Sequence, residues 1–544
     1  MNLSPSTVRT LWAVGLASLF VRGWIAQTLP ITGDEAFFYW WGVFPDWGYY
    51  DHPPMVGWLI AVMRYLWGDG LLSIRLPVVL LPLVLGGLMG WALYPWGRER
   101  AAVAVLLFWC TPLNWLNTLI TTDTPLIFWS VLSAACLLRA EQRSQLDRAA
   151  WGLYGLSGVA LGCAFLSKYF AVVLGLTYAV YFLACRRERW HAFAALVLLS
   201  LPMAAINIGW NISHGWPNIM FNLFNRNSAE VAEVRKPLLY AGMLIYLVTP
   251  AVVWPLVRMT SLKGWHEGWR AGWRAPRAAW ANSWTALPPA RQLLALLVLV
   301  PGVFFAVLSI KKVIGLHWVL SFYPWVFAWL ACALPFEKLR TCKLGLMVFT
   351  ALHLMVLGGV AVSSLQDWKF LERYPTLVRS YQTQDVLDGM LRQAELERSS
   401  KGSSFNVKAS PQPLVWMSDG YSPASVYGYT LGQYVPVFGQ GKFHARQDDL
   451  LVDFSAFAGQ DVLVMLSAAP DLKDFTPYFE RTTPLAIEVS GATFHAVLGQ
   501  GFNTAAYHRE VLGHVYQKYY QIPQWLPMTG CPFCERYCGA MRCR

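Results

Sequence analysis

Apolar runs long enough to cross a bilayer recur along most of this chain, and no other feature restricts its fold as much. A helix needs roughly 17–25 apolar residues to span the hydrocarbon core. Runs of about that size are predicted near residues 11–28, 74–95, 102–117, 122–139, 151–167, 170–185, 191–210, 238–257, 292–310, 316–335 and 344–363, about eleven spans in all. Of the 544 residues, 14% are charged and 56% hydrophobic, whereas a soluble domain carries about 25% charged residues. A chain so poor in charge cannot cover itself with polar surface in water. The first run, 11–26, contains Arg22 and has no clean small-residue cleavage site, so it reads as a span and not as a removable signal.

The net charge of +12 raises the question of nucleic acid. The basic residues, however, fall in short clusters between apolar runs, so helix orientation is the simpler explanation and no nucleic-acid partner is expected. Arg98 and Arg100, Arg139 with Arg143 and Arg148, Arg186-Arg187 with Arg189, the 258–291 segment, and Lys338 with Arg340 and Lys343 all fall on one side of the alternation. The positive-inside rule makes that side cytoplasmic, which places the N-terminus inside and everything after about residue 364 outside. The 28 Trp and 24 Tyr suit long interfacial belts. In the 258–291 segment, Trp265, Trp269, Trp273, Trp280 and Trp284 share one helical arc beside Lys263, Arg270, Arg274 and Arg277. That pattern describes a helix on an anionic membrane surface, bent at Pro276, with a partner-binding helix as the alternative.

Beyond residue 364 the chain carries more charge and short alternating stretches, at 461–466 and 486–490, that read as strands among helices. Residues 396–412 read as a polar loop, and no internal repeat is visible. The expected organisation is a polytopic α-helical membrane domain, 1–364, with an extracytoplasmic α/β domain, 365–544. Six cysteines lie in or beside apolar runs, where they act as small hydrophobes. The tail holds Cys531, Cys534, Cys538 and Cys543, for which two disulfides are expected outside the cytoplasm and a structural metal is the alternative.

The loop between the first two spans, residues 29–73, breaks the apolar pattern. Asp34 and Glu35 follow Gly33 and open a short aromatic helix, while Asp51 and His52 precede Pro53-Pro54 and a second amphipathic helix. Acidic residues at helix starts are favoured by the helix dipole, so capping alone could account for each carboxylate. Two such caps would also aim two carboxylates at one space.

Gly33-Asp34-Glu35, then Tyr49-Tyr50-Asp51-His52-Pro53-Pro54, then Thr121-Thr122-Asp123-Thr124-Pro125 at the start of a span, resemble the GT-C glycosyltransferases. More narrowly, they are similar to the bacterial branch near the protein O-mannosyltransferases and the lipid A aminoarabinose transferase. Leu166-Ser167-Lys168-Tyr169, the 210–224 stretch with His214-Gly215-Trp216-Pro217, and His317-Trp318 extend the match. The resemblance covers about residues 10–365 and, more loosely, 421–449. It departs at Asp51-His52, where the aminoarabinose transferase has Glu followed by Lys.

The resemblance implies a GT-C-like domain in a bacterial cytoplasmic (inner) membrane, with its site in the 29–73 loop. It also implies an inverting transfer of a sugar from a polyprenyl-phosphate carrier to an envelope acceptor: lipid A or its core, another glycan, a lipid or a protein. Such chemistry needs a general base for the attacking hydroxyl and positive charge at the leaving phosphate. Asp34 is the expected base, Glu35 its substitute, and Asp51 an assisting group. His52 is a candidate substrate contact, and Asp51 with His52 could alternatively hold a divalent ion. Asp123 is either an N-cap or part of the sugar pocket. Lys168, Arg75, Lys312 and His317 are candidates for binding the carrier, against snorkelling to lipid headgroups. A transporter or flippase of lipid-linked sugars is the competing class. It would place ionisable or helix-breaking residues near the middle of its spans, whereas here the candidate charges gather at the ends. An assembly protein with a decayed site is a third reading, disfavoured because Asp34, Asp51 and Asp123 are all present.

Overall fold

The computed structural model describes residues 3–225, 232–250, 252–253, 284–362, 374–400 and 413–539. Trp265, Trp269, Trp273, Trp280 and Pro276 of the expected surface helix, most of the polar 396–412 loop, and Cys543 lie outside the described residues. The chain divides into two compact units. The first comprises Met1–Thr28, Leu66–Ile206 and Ala229–Val360; the second comprises Leu29–Tyr65, Asn207–Ser228 and Ala361–Arg544. The first loop, up to Tyr65, therefore groups with the C-terminal part of the chain, not with the 1–364 domain to which sequence assigned it.

The first unit is a bundle of apolar helices. Among the described residues, seven helices are long and apolar enough to cross a membrane: Pro5–Thr28, Leu71–Trp96, Asp123–Glu141, Arg148–Ser167, Arg187–His214, Pro289–Ser309 and Phe336–Ala361. The other four predicted runs fall on shorter helices, Arg98–Trp109, Ala171–Cys185, Arg235–Val248 and Tyr323–Ala333. Two of these are shortened by identifiable breaks. The helix from Arg98 ends before Thr111-Pro112, and Tyr323–Ala333 starts only after a tight turn at Leu316–Val319.

In hydrocarbon every polar group must find a partner within the protein. Pro82, inside the helix Leu71–Leu93, has no N–H to give the carbonyl four residues earlier, that of Val78. Arg22, buried in the first helix, supplies the missing donor: its guanidinium bonds the carbonyls of Val78, Val79 (3.0 Å) and Asn114 (2.9 Å). Ser133 and Ser157 exchange bonds across two helices, with Tyr178 hydroxyl 2.8 Å from Ser133. Glu141 is buried and receives Tyr181 hydroxyl at 2.7 Å, Arg186 Nε at 3.0 Å and the Tyr154 hydroxyl. Arg189 in turn donates to the Arg143 carbonyl at 2.7 Å. Two basic loops that the charge pattern put on one face thus meet there.

The second unit contains a four-stranded mixed sheet: β1 (Val415–Ser418), β2 (Val462–Leu466), β3 (Phe479–Val489) and β4 (Ala492–Phe502), in the order β1-β2-β4-β3. β1 runs parallel to β2, and the remaining pairs are antiparallel. Ser490 (φ 49°) and Gly491 (φ 79°) form the two-residue turn between β3 and β4, where positive φ matches the strand twist. Pro484 is tolerated because β3 is an edge strand. The helix Thr383–Ser400 packs against that strand. Both stretches read as strands from sequence are strands, within a longer β3 than expected.

Beyond β1, the turn Phe443–Gln447 and the helix Asp448–Leu451 are tied down by a buried polar network. Arg446 Nη1 lies 3.1 Å from both Asp449 carboxylate oxygens, and Tyr520 hydroxyl donates to Asp449 Oδ2 at 2.7 Å. Asp448 accepts from Tyr434 hydroxyl at 2.5 Å and the Val437 N–H at 2.7 Å. Burial pushes the carboxyls of Asp448 and Asp449 up, to about 7 and about 6, against the pull of these donors.

Two outcomes follow. Arg22→Met should leave the Val78 carbonyl without its side-chain donor and lower the stability of the detergent-purified protein by roughly 1–3 kcal/mol, the cost of a buried orphan acceptor, seen as a lower melting temperature. Adding Pro82→Ala should recover part of that loss, because a backbone N–H is restored. For Asp448, a carboxyl raised above its ordinary value to about 7 means the folded chain binds more protons, so stability is greatest below about pH 4 and falls as pH rises through 7. Melting curves from pH 5 to 8 should show that decline, and Asp448→Asn should flatten it.

Candidate active site

The helix Gly33–Val43 starts with a capping box. Thr32 Oγ1 accepts the Glu35 N–H at 3.4 Å, and Glu35 Oε2 accepts the Thr32 N–H at 3.2 Å. Glu35 is fully buried in this role, which satisfies backbone donors that the helix leaves free. The substitute base is therefore engaged as a cap. Asp34, one residue earlier, points the other way: it is exposed, and Tyr421 hydroxyl donates to its Oδ1 at 3.0 Å. Burial and the neighbouring Asp34 raise the Tyr421 phenol above its usual range, so it keeps its proton and acts as donor. The helix Tyr421–Leu431 can come this close because residue 33 is glycine; a Cβ there would sit 1.7 Å from Ser422 Oγ.

Asp51 is buried, with Oδ2 2.6 Å from His444 Nδ1 and 3.2 Å from His52 Nδ1. Burial alone would raise its carboxyl, but the charge of His52 and the bond and charge of His444 hold it well below the usual carboxylate range. Its second oxygen, Oδ1, is buried with no hydrogen-bond partner among the described residues. Aromatic rings wall these groups: Tyr421 lies 4.5 Å from His444, Phe37 5.2 Å from Tyr421, and Phe221 5.7 Å from His444.

The backbone that carries Asp51 is fixed from several directions. Tyr49 stacks on Trp41 at 4.3 Å and donates to its carbonyl at 2.7 Å. The Asn218 amide bonds the carbonyls of Tyr49, Tyr50 (3.1 Å) and His52 (3.4 Å), and the Tyr50 N–H donates to Gln447 Oε1 at 2.9 Å. Gly215 (φ 77°) and Trp216 (φ 58°) turn the chain ahead of Asn218, and Trp216 Nε1 bonds the Pro527 carbonyl at 2.7 Å. His214 stacks on Trp210 at 4.4 Å. The 214–217 motif is thus packed into the unit that carries Asp34 and Asp51.

The remaining candidates belong to the first unit. Asp123, at the start of its helix, receives Lys168 Nζ at 2.8 and 3.0 Å, so those two are brought together as an ion pair. Arg75 is wholly buried and donates to the Ala26 carbonyl at 2.8 Å, a bridge between helices where sequence proposed a carrier contact. Lys312 is half-buried, and His317 is exposed in the Leu316–Val319 turn. Among the described residues no three His, Cys, Asp or Glu side chains converge to hold a metal ion. In the tail, Cys534 is disulfide-bonded, while Cys531 and Cys538 are thiols that burial pushes up to about 12 and about 11. Among the described tail cysteines only Cys534 is disulfide-bonded, where the sequence pointed to two disulfides.

Sequence reasoning missed His444, Asn218 and the Arg446–Asp449 pair. The only signal for the first and last was the loose resemblance over residues 421–449.

The profile of the dolichyl-phosphate-mannose-protein mannosyltransferases matches residues 51–210. A lipid A galacturonosyltransferase, RgtD, from Rhizobium johnstonii is 27% identical over 243 residues, 42% of this chain and 49% of that protein. The chain thus matches about half the length of this relative. The crystal structure of ArnT from Cupriavidus metallidurans bound to undecaprenyl phosphate superposes with a TM-score of 0.59 at 17% identity, covering 91% of this chain and 98% of that one. Its apo form gives 0.58 at 16%, over 90% and 97%. With its apolar helical bundle, its mixed-sheet unit and these likenesses, the chain is a polytopic membrane protein of GT-C fold that resembles the protein O-mannosyltransferases and the lipid A aminoarabinose transferase.

Proposed function

We propose that this protein is an inverting glycosyltransferase that moves a sugar from a polyprenyl-phosphate carrier to an envelope acceptor on the outer face of a bacterial inner membrane. The observation that carries the reading is the pairing of two differently prepared carboxylates. Asp34 is exposed and oriented by Tyr421, and Asp51 is held ionised with one buried oxygen open. In the reaction, the acceptor hydroxyl gives its proton to Asp34 as its oxygen forms a bond to the anomeric carbon. The bond from that carbon to the phosphate oxygen breaks, and the polyprenyl phosphate leaves with the electron pair. Asp51 Oδ1 accepts a hydrogen bond from a hydroxyl of the bound sugar or acceptor, while His444 and His52 keep it charged.

The undecaprenyl phosphate in the ArnT structure supports a polyprenyl-phosphate donor, and the galacturonosyltransferase relative supports a lipid A acceptor among the envelope options. The test starts from cells lacking the protein, whose envelope lipids, glycans and proteins are searched for missing sugars, followed by complementation. Asp34→Asn should lower turnover by about 10²–10⁴-fold, the usual worth of a general base, without changing the melting temperature. Asp51→Asn should cost about 10–100-fold, the loss of one charge-assisted bond. Full complementation by Asp34→Asn sinks the base assignment. If no sugar is missing while a lipid-linked sugar accumulates, transport is the better account.

A further inference from the structure

A second built feature lies in the helical unit, among residues that the transfer reaction does not use. Trp284, Leu287, Ala295, Leu299, Trp329 and Cys332 line an apolar pocket of about 490 Å³. That volume is within the roughly 300–1,000 Å³ typical of small-molecule sites. Leu299 is 53% exposed, so the pocket opens on the side of the bundle. A cation also lines it. Arg291 has its guanidinium 5.9 Å from the centre of the Trp96 ring, and its Nε is buried without a hydrogen-bond partner among the described residues. Arg100 bonds the carbonyls of Ala331 (2.7 Å) and Leu334, next to the pocket residue Cys332. An apolar hollow beside a guanidinium whose Nε has no hydrogen-bond partner among the described residues suits a ligand with an acyl body and an anionic head.

The sequence adds an independent observation. The residues leading to Trp284 place Trp265, Trp269, Trp273 and Trp280 beside Lys263, Arg270, Arg274 and Arg277. Aromatic and basic residues so interleaved are the signature of contact with an anionic lipid surface.

We infer that this pocket is a binding site for an anionic glycerophospholipid of the surrounding leaflet, with an acyl chain between Trp284 and Trp329 and the phosphate on Arg291. The full chain, purified in detergent, is titrated with phosphatidylglycerol or phosphatidylcholine, and retained lipid is counted by native mass spectrometry. Wild type should retain phosphatidylglycerol about fivefold more tightly, the effect of one basic residue at an anionic surface. Arg291→Gln should erase that preference, Arg291→Lys should keep most of it, and Ala295→Trp should weaken both lipids by filling the pocket. Equal retention of the two lipids by wild type overturns the inference. So does an undiminished preference in Arg291→Gln of unchanged helical content, or a stable dimer that phosphatidylglycerol does not displace. If Arg291→Gln fails to fold, the lysine and tryptophan variants decide the question.

Discussion

The bond between Asp51 and His444 joins residues 393 apart in sequence, and the geometry of the candidate site depends on it. Without His444 the buried carboxylate would have only His52 to offset its desolvation, and a buried charge with so little compensation is costly. The bond is in turn only as firm as the turn that presents His444. That turn is held by Arg446 on Asp449 and by Asp448 beneath the Val437 N–H. Gln447, on the same short segment, bonds the Tyr50 backbone one residue before Asp51. A single piece of chain thus fixes the side chain and the backbone of the same residue.

The helical unit obeys a different constraint. Lipid offers no hydrogen bonds, so each irregularity in a helix has to be answered from a neighbouring one. Pro82 opens a gap that Arg22 fills, and Glu141 gathers two arginines and two tyrosines where basic loops converge. Ser133 and Ser157 show the same logic on a smaller scale. The charges in this bundle are therefore mostly matched inside it. Arg291 stands apart as a half-buried cation whose Nε has no such answer among the described residues.

The spans were legible because length and hydropathy are local properties, written in consecutive residues. What cut two of them short was less so, since a Pro112 or a turn at Leu316–Val319 can end a helix or bend it. Arg22 was visible as an oddity in the first span, but its partners, Val78 and Asn114, are far away in sequence and carry no mark of the contact. Glu35 shows how far a local motif reaches: an acidic residue three positions after Thr32 is a cap by spacing, and a cap is what it is. Asp34 and Asp51 stood out as acidic residues in an aromatic loop. His444 did not, because a lone histidine in a polar turn looks the same whether it faces water or a buried carboxylate. The carrier candidates diverged for the same reason. Lys168 and Arg75 are both cations at span ends, and only the fold reveals that one meets Asp123 and the other a backbone carbonyl.

The long separation between Asp51 and His444 also has a meaning in time. A ribosome adds about 5–20 residues per second, so the first loop leaves it on the order of 20–80 seconds before the turn that completes it. Throughout that interval the nascent chain is acquiring its apolar helices in order, yet Asp51 has neither its tightest partner nor the Gln447 that steadies its backbone. Tyr421, the anchor of Asp34, arrives almost as late. A polypeptide halted before these residues would have most of its membrane-crossing helices and an unfinished pair of carboxylates, so the candidate site is completed only after the apolar helices have been made.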